Sequence, residues 1–368
     1  VARLINQTLA KRDDSPVLIA ETGGQNAMIV DSTALAEQVC ADVLNSAFDS
    51  AGQRCSALRI LCVQEDVADH MVKMIKGAMD ELVVGNPIAL DTDIGPVIDT
   101  EAQQNLLAHI NRMKGIAKSY HEIRPSENVN PDNATFVAPI MFELNGLGEL
   151  QREVFGPVLH VVRYPADGLD KLIDQINGKG YALTHGVHSR IDGTVEHIRS
   201  RIESGNVYVN RNIVGAVVGV QPFGGHGLSG TGPKAGGSFY LQRLSRLKEW
   251  TAPTLSKIGQ VDEAALKRLE TLLHGLPLPQ SEKMAAAASL GQSRVRTLRK
   301  AESVLSGPTG ERNVLSWHAP ARVWLYGGSL AASFTALVSL ASAGVQAVVL
   351  PDHPLAAYAD RLDGLLAV

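Results

Sequence analysis

The chain has three cysteines among 368 residues, only 5% aromatic residues, and no marked excess of either charge. Each scarcity excludes something. Three thiols cannot build a disulfide framework, which points to a reducing compartment and the cytoplasm. With 34 Lys and Arg against 38 Asp and Glu the net charge is −4. The basic residues are dispersed, with no basic face interleaved with aromatics, so nucleic acid is not an expected partner. No secretory leader is visible. The chain starts at Val1 and runs straight into an uncapped amphipathic pattern over 1–10, so a fragment of a longer polypeptide is expected. From Val323 to Leu350 no charge occurs, long enough for a membrane span. Gly327, Gly328 and Gly344 break that run where a strand–helix–strand unit turns, so strand, helix (329–343) and strand (345–350) are expected instead of a transmembrane segment. What is present is 45% apolar content, enough for two globular domains.

The cysteines are not equivalent. Cys40 falls in the apolar pattern of a helix over 35–49, and Cys62 in the strand-like run Leu58–Val63; both read as core. Cys55 sits in a polar loop with Gly52, Gln53, Arg54 and Ser56. Buried cysteine ordinarily behaves as a small apolar side chain. An unperturbed thiol of pKa ~8.5 is only a few per cent ionised at pH 7, so nucleophilic use needs a neighbour's help. Arg54 offers positive charge, directed either at the thiol or out into solvent. Glu21 ends the apolar run Val17–Ala20 and is followed, after Thr22, by Gly23 and Gly24. That places a carboxylate where a strand turns sharply, fitting either a base or a surface turn.

Read together, Glu21-Thr22-Gly23-Gly24-Gln25-Asn26-Ala27 and Gly52-Gln53-Arg54-Cys55-Ser56-Ala57 resemble the aldehyde dehydrogenase superfamily. Within it they resemble the glutamate semialdehyde (pyrroline-5-carboxylate) dehydrogenase module of bacterial proline utilization A proteins, over roughly residues 1–250. The resemblance implies Cys55 as nucleophile and Glu21 as general base. It implies NAD as cofactor, with Glu153 on the nicotinamide ribose hydroxyls, Phe155 against the nicotinamide, and Thr22 and Gly23 beside it. On the residues alone, 153–158 also fits a turn before a strand (158–164), and a carboxylate can accept two hydroxyls at once. The implied substrate is glutamate semialdehyde, anchored by Gly215 and Ala216, with a Ser56 hydroxyl donor and Phe223 on the aliphatic chain. Also implied are a homo-oligomer, FAD confined to a proline dehydrogenase part outside this chain, channelling from that part, and peripheral contact with the inner membrane through it. One oxyanion donor is the Cys55 N–H; the other is an asparagine preceding Val1, so the chain alone is expected to be nearly inactive. Two other classes would use the same residues: a thiol hydrolase without nicotinamide, and a scaffold with a dead site. An aldehyde dehydrogenase of another substrate class is the nearest variant.

The fold class expected is α/β: a parallel-type sheet with helices on both faces, then a Rossmann-like C-terminal domain, with most of the cofactor domain outside the chain. Residues 1–24 would end the cofactor domain with a helix and a buried strand. Residues 25–222 would form the thiol domain, with strand and helix alternating through a helix at 67–82, stopped by Gly85-Asn86-Pro87, and another at 100–113. Residues 223–250 would return to the cofactor domain or the oligomer contact, and 251–368 would be structural. Asp91 and Asp93 read as a solvated loop, and His185 and His188 as strand residues, not as metal ligands. The G-x-G-x-x-G of 225–230 reads as a decoy, because Pro222 and Pro233 deny it the strand before and the helix after. In the C-terminal part a helix is expected at 262–273 and a linker at 276–280. Asp352 follows Gly328 at about the interval of a ribose-binding acid, but Gly327-Gly328-Ser329-Leu330-Ala331-Ala332 lacks the later glycines of a dinucleotide turn.

Overall fold

The computed structural model describes residues 1–14, 16–125, 135–245, 256–257, 259–295 and 300–368. Two compact units divide the chain, Val1–Leu247 and Lys248–Val368. The expected junction between 250 and 251 lies outside the described residues.

Helix α1 (Ala2–Leu9) forms where the amphipathic pattern predicts it, and none of its residues is buried. The run Val17–Ala20, expected as a buried strand, is not one. It joins no ladder, and Val17 stays 44% exposed. Its last residue bonds instead to a loop: Thr231 N–H donates to Ala20 O, and Ala20 N–H to Thr231 Oγ1. Extended backbone is buried only when a neighbour satisfies its N–H and C=O groups, and among the described residues no strand lies alongside.

The first unit continues as β1 (Ala27–Val30), α2 (Ala36–Phe48), β2 (Ile60–Gln64), α3 (Glu65–Asp80), α4 (Thr100–Lys114), β3 (Ser119–Glu122), β4 (Ile140–Glu143) and β5 (Val158–Tyr164). Then come α5 (Leu169–Asn177), β6 (Tyr181–Ala182), β7 (Thr184–His188), α6 (Asp192–Arg201), β8 (Asn206–Val209), β9 (His226–Gly227) and α7 (Tyr240–Leu244). Helix α3 ends before the expected stop, because Val84 leaves it to pair with Ile94. Seven strands make one sheet in the order β3-β4-β5-β2-β1-β7-β8, parallel except for the antiparallel edge strand β3. Ala27, Met28, Ile29 and Val30 of β1 are all buried. Successive side chains of a strand point to opposite faces, so the sheet centre is covered on both.

This order positions the site. Segments 21–26, 52–59 and 152–157 lead into β1, β2 and β5, which are adjacent and parallel. In register, Ala27 lies opposite Ile60, and Ile60 opposite His160. Three stretches far apart in sequence are thereby gathered at the N-terminal edge of the sheet. Open α/β sheets more often bind ligands at the carboxyl edge.

In the second unit, α8 (Glu263–Gly275) and α9 (Gln280–Val295) precede the antiparallel pair β10 (Glu302–Leu305) and β11 (Asn313–Ser316). The unit ends with β12 (Arg322–Trp324), α10 (Leu330–Ser342), β13 (Gln346–Val348) and β14 (Leu366–Ala367). The expected strand–helix–strand unit is there: β12 pairs parallel with β13, and Ser329 caps α10 by accepting from Ala332 N–H at 3.3 Å. Strand β14 adds a third parallel partner. Leu266, Leu269, Leu273, Leu290, Phe334 and Leu337 form the core shared by its helices. No helix among the described residues is long and apolar enough to cross a membrane.

Candidate active site

The thiol loop is held by its carbonyl groups. Asn26, buried at the entry to β1, donates from Nδ2 to Cys55 O and to Ala57 O, both at 2.8 Å, while its Oδ1 accepts from Thr184 N–H at 3.2 Å. Thr184 Oγ1 donates to Ser56 O at 3.2 Å. Arg59, 1% exposed, donates from Nη1 to Gly52 O (2.7 Å) and Gly156 O (3.1 Å), and from Nη2 to Arg54 O (3.0 Å). The carbonyls of 52 and 54–57 are thus all engaged by internal donors. Ahead of the cysteine, Ser50, Ala51 and Gly52 have φ of 55°, 53° and 64°. This left-handed run is costly for the first two, and it persists because the surroundings over-determine it. A Cβ on Gly52 would overlap Gly156 O, so the two loops meet backbone to backbone.

Cys55 is half-buried at the centre. Burial, and next the charge of Glu21, push its thiol up; the N–H groups of Ser56 and Cys55 oppose that shift, and Glu153 adds a smaller upward push. The cysteine and the two carboxylates named by the sequence therefore share one electrostatic neighbourhood. Arg54 does not join them. It pairs with Asp49 at 3.0 Å and donates to Ser50 Oγ at 3.1 Å, so the positive charge it offered Cys55 is spent elsewhere. Cys40 and Cys62 are core residues; burial raises both thiols, that of Cys62 to about 12.

Glu153 is the half-buried carboxylate of the second loop. Burial raises its pKa against the pull of Arg59 and a bond from Gly24 N–H. Its Oε1 stands 3.7 Å from Arg59 Nη2 and is buried with no hydrogen-bond partner. Gly23, at φ +116°, lies against it: a Cβ there would overlap Oε2 and come within 3.1 Å of Cδ. A carboxylate oxygen that still lacks a donor, beside a segment with no side chain, fits a hydroxyl-bearing ligand such as a ribose. Phe155 is 45% exposed, with the Arg59 guanidinium 5.1 Å from its ring centroid. Thr22 Oγ1 donates to Leu228 O at 2.6 Å.

The substrate set is distributed differently. Ser56 is buried, while Gly215 is exposed at φ +77°. The stretch carrying Gly215 and Ala216 is tied to the thiol loop through Ser46, whose Oγ accepts from Ile213 N–H at 3.1 Å and whose O accepts from Leu58 N–H at 2.8 Å. Phe223 is half-buried and pairs its backbone with Ala235. The G-x-G-x-x-G stretch is no strand-to-helix turn. Leu228 N–H donates to Gly180 O, Ser229 Oγ accepts from Ala182 N–H, and Glu21 bridges to Gly230. It clamps the Glu21 segment. His185 and His188 lie buried in β7, and burial lowers their pKa to about 3 and about 4. Asp93 braces its loop, accepting from Val83 N–H at 2.9 Å. Arg59 and Asn26 were not singled out in the sequence, although an arginine inside the apolar run 58–63 is a signal.

The pattern of the aldehyde dehydrogenase family matches residues 1–250. The bifunctional protein PutA of Klebsiella aerogenes is 48% identical over 368 residues, covering 96% of this chain and 28% of that protein. A crystal structure of bifunctional proline utilization A (PutA) superposes with a TM-score of 0.63 at 58% identity, over 66% of this chain and 24% of that one. The 1-pyrroline-5-carboxylate dehydrogenase from Thermus with bound NAD does so with a TM-score of 0.56 at 34% identity, over 61% of this chain and 43% of that one. The chain thus spans under a third of the length of the curated PutA relative. With its thiol loop, its two carboxylates and this match over most of its length, the chain belongs to the aldehyde dehydrogenase family.

Proposed function

We propose that the chain carries the thiol half of an NAD-dependent L-glutamate γ-semialdehyde dehydrogenase, acting on the aldehyde that opens from pyrroline-5-carboxylate, within a bifunctional proline-degrading enzyme. The observation that carries this reading is that Asn26 and Arg59 bond the thiol loop to the segments bearing Glu21 and Glu153, whose charges both act on Cys55. Residues 1–24 complete the cofactor domain, 25–222 are the thiol domain, 223–250 return toward the cofactor domain or an oligomer contact, and 251–368 are structural. FAD belongs to a proline dehydrogenase part outside this chain, which hands its product on by channelling in a homo-oligomeric, cytoplasmic enzyme that touches the inner membrane through that part.

Cys55 must lose its proton before it can attack, and its resting environment disfavours that. The thiolate then forms a C–S bond to the aldehyde carbon, and the carbonyl electron pair moves to oxygen, where the Cys55 N–H donates to it. NAD, when bound beside Cys55, would supply the acceptor for the hydride of that carbon as its carbonyl re-forms. A thioester on Cys55 remains. Glu21 takes a proton from water as the water oxygen attacks the acyl carbon, and the C–S bond breaks with its pair on sulfur, releasing glutamate. General-base help of this kind is worth ~10²–10⁴-fold. Glu153, Phe155, Thr22 and Gly23 would hold the nicotinamide end of NAD. Gly215, Ala216, Ser56 and Phe223 hold the amino acid end of the substrate.

The test is NAD reduction by the full-length protein with glutamate semialdehyde, with Cys55→Ala alongside. Reduction lost in Cys55→Ala supports the reading. Ester turnover without NAD reduction would replace it with a thiol hydrolase.

A further inference from the structure

A thiol pushed up by burial and by two carboxylates needs a compensating cation, and Arg54 is committed to Asp49. Among the described residues a second guanidinium stands at the site. Arg59 enters β2 from the thiol loop and is almost wholly buried. Its fork spans both loops: Gly52 O and Arg54 O on the thiol side, Gly156 O and the Glu153 carboxylate on the other, with the Phe155 ring against its plane. Its own carbonyl accepts from His160 N–H at 3.0 Å, so the main chain beneath the fork is fixed as well. An arginine that only filled space would not place three donors on carbonyls of two separate loops. A lysine could not do so, having a point charge in place of a planar fork.

We propose that Arg59 is a positioning residue for this reaction: it fastens the thiol loop to the Glu153 loop and supplies Cys55 with the positive charge that Arg54 does not. The electrostatics agree in sign. Burial lowers the Arg59 pKa to about 10, and the charges of Glu153 and then of Cys55 work to raise it. Nη2 donates to Arg54 O, the carbonyl of the peptide bond that enters Cys55, so the guanidinium is held against the cysteine's own backbone, where a positive charge favours the thiolate.

The proposal rests on Cys55 as the nucleophile, and its test needs neither aldehyde nor NAD. Alkylation of Cys55 by iodoacetamide is followed across pH in the full-length protein by peptide mass, with circular dichroism as the control for folding. In Arg59→Met the midpoint of alkylation moves up by about one pH unit, roughly tenfold slower labelling at a fixed pH below it. In Arg59→Lys the midpoint returns toward the parent value, because the positive charge is restored. A folded Arg59→Met protein with the parent midpoint overturns the proposal. Should Arg59→Met fail to fold, the double variant Arg59→Met/Glu153→Gln leaves no uncompensated buried charge and is compared with Glu153→Gln alone. A higher midpoint in the double variant supports the proposal; equal midpoints overturn it. Such a failure removes Arg59 only, whereas a parent protein that cannot reduce NAD with the aldehyde removes the functional reading.

Discussion

Substituting Gly23 by alanine changes one methyl group and separates cofactor binding from thiol chemistry. At φ +116° the backbone is in a region L side chains rarely adopt, and the added Cβ would overlap Glu153 Oε2 and sit 3.1 Å from its Cδ. Two consequences follow. The backbone strain costs about 1–3 kcal/mol of stability. The carboxylate must also retreat by about 1 Å to regain van der Waals separation, and Arg59, held by three carbonyls, does not follow. A hydrogen bond to a charged group contributes ~1.5–3 kcal/mol, so losing one to a ribose hydroxyl weakens NAD binding roughly 10- to 150-fold at 1.4 kcal/mol per decade. The three atoms nearest the new methyl all belong to Glu153. The assay is NAD titration by calorimetry on the full-length Gly23→Ala protein, with Cys55 alkylation and urea unfolding in parallel. The predicted outcome is weakened NAD binding, a lower urea midpoint and only a small change in alkylation rate, because Glu153 is the smallest of the influences on the Cys55 thiol. NAD affinity equal to that of the parent would refute the placement of Glu153 on the cofactor.

Other outcomes follow from the same structure. His160 and His185 are held at about 3, and His109 and His188 at about 4, chiefly by burial. Unfolded histidine takes its proton near 6.5, so between pH ~6.5 and ~4 the unfolded chain binds more protons and stability falls as pH falls, by about 1.4 kcal/mol per pH for each histidine. Urea midpoints measured across that range should slope downward toward acid, and less steeply in His185→Phe; a flat profile contradicts the burial of these rings. Asp262 caps α8 by accepting from Ala265 N–H at 3.0 Å, so Asp262→Ala should lower the stability of the second unit by about 1 kcal/mol. Thermal unfolding of the full-length protein reads it, and an unshifted transition counts against the cap.

Much of the frame was legible because it rests on local pattern. The alternating run Val158–Tyr164 is a strand between those residues, and the glycines at 327, 328 and 344 mark the turns of β12, α10 and β13. The run Val17–Ala20 has the composition of a buried strand, but a strand needs a partner, and its neighbours in sequence do not supply one. Helix α9 and the β10–β11 pair went unread, the first an alanine-rich helix of small hydrophobic contrast, the second two short strands of mixed polarity. In the site, Cys55, Glu21 and Glu153 were named from their motifs. Their support was not, because Arg59, Asn26 and Thr184 act through contacts with distant parts of the chain, and Arg54, the cation nearest Cys55 in sequence, turns to Asp49.

The central claim is that a thiol on one loop and a carboxylate on another act in turn on a single carbon. It is tested most directly by rapid quenching of full-length Glu21→Gln turning over glutamate semialdehyde with NAD, followed by mass analysis of the Cys55 peptide. The account predicts that the glutamyl thioester accumulates on Cys55 while steady-state turnover falls by ~10²–10⁴-fold. Turnover at the parent rate, or an acyl group on any other residue, would contradict it.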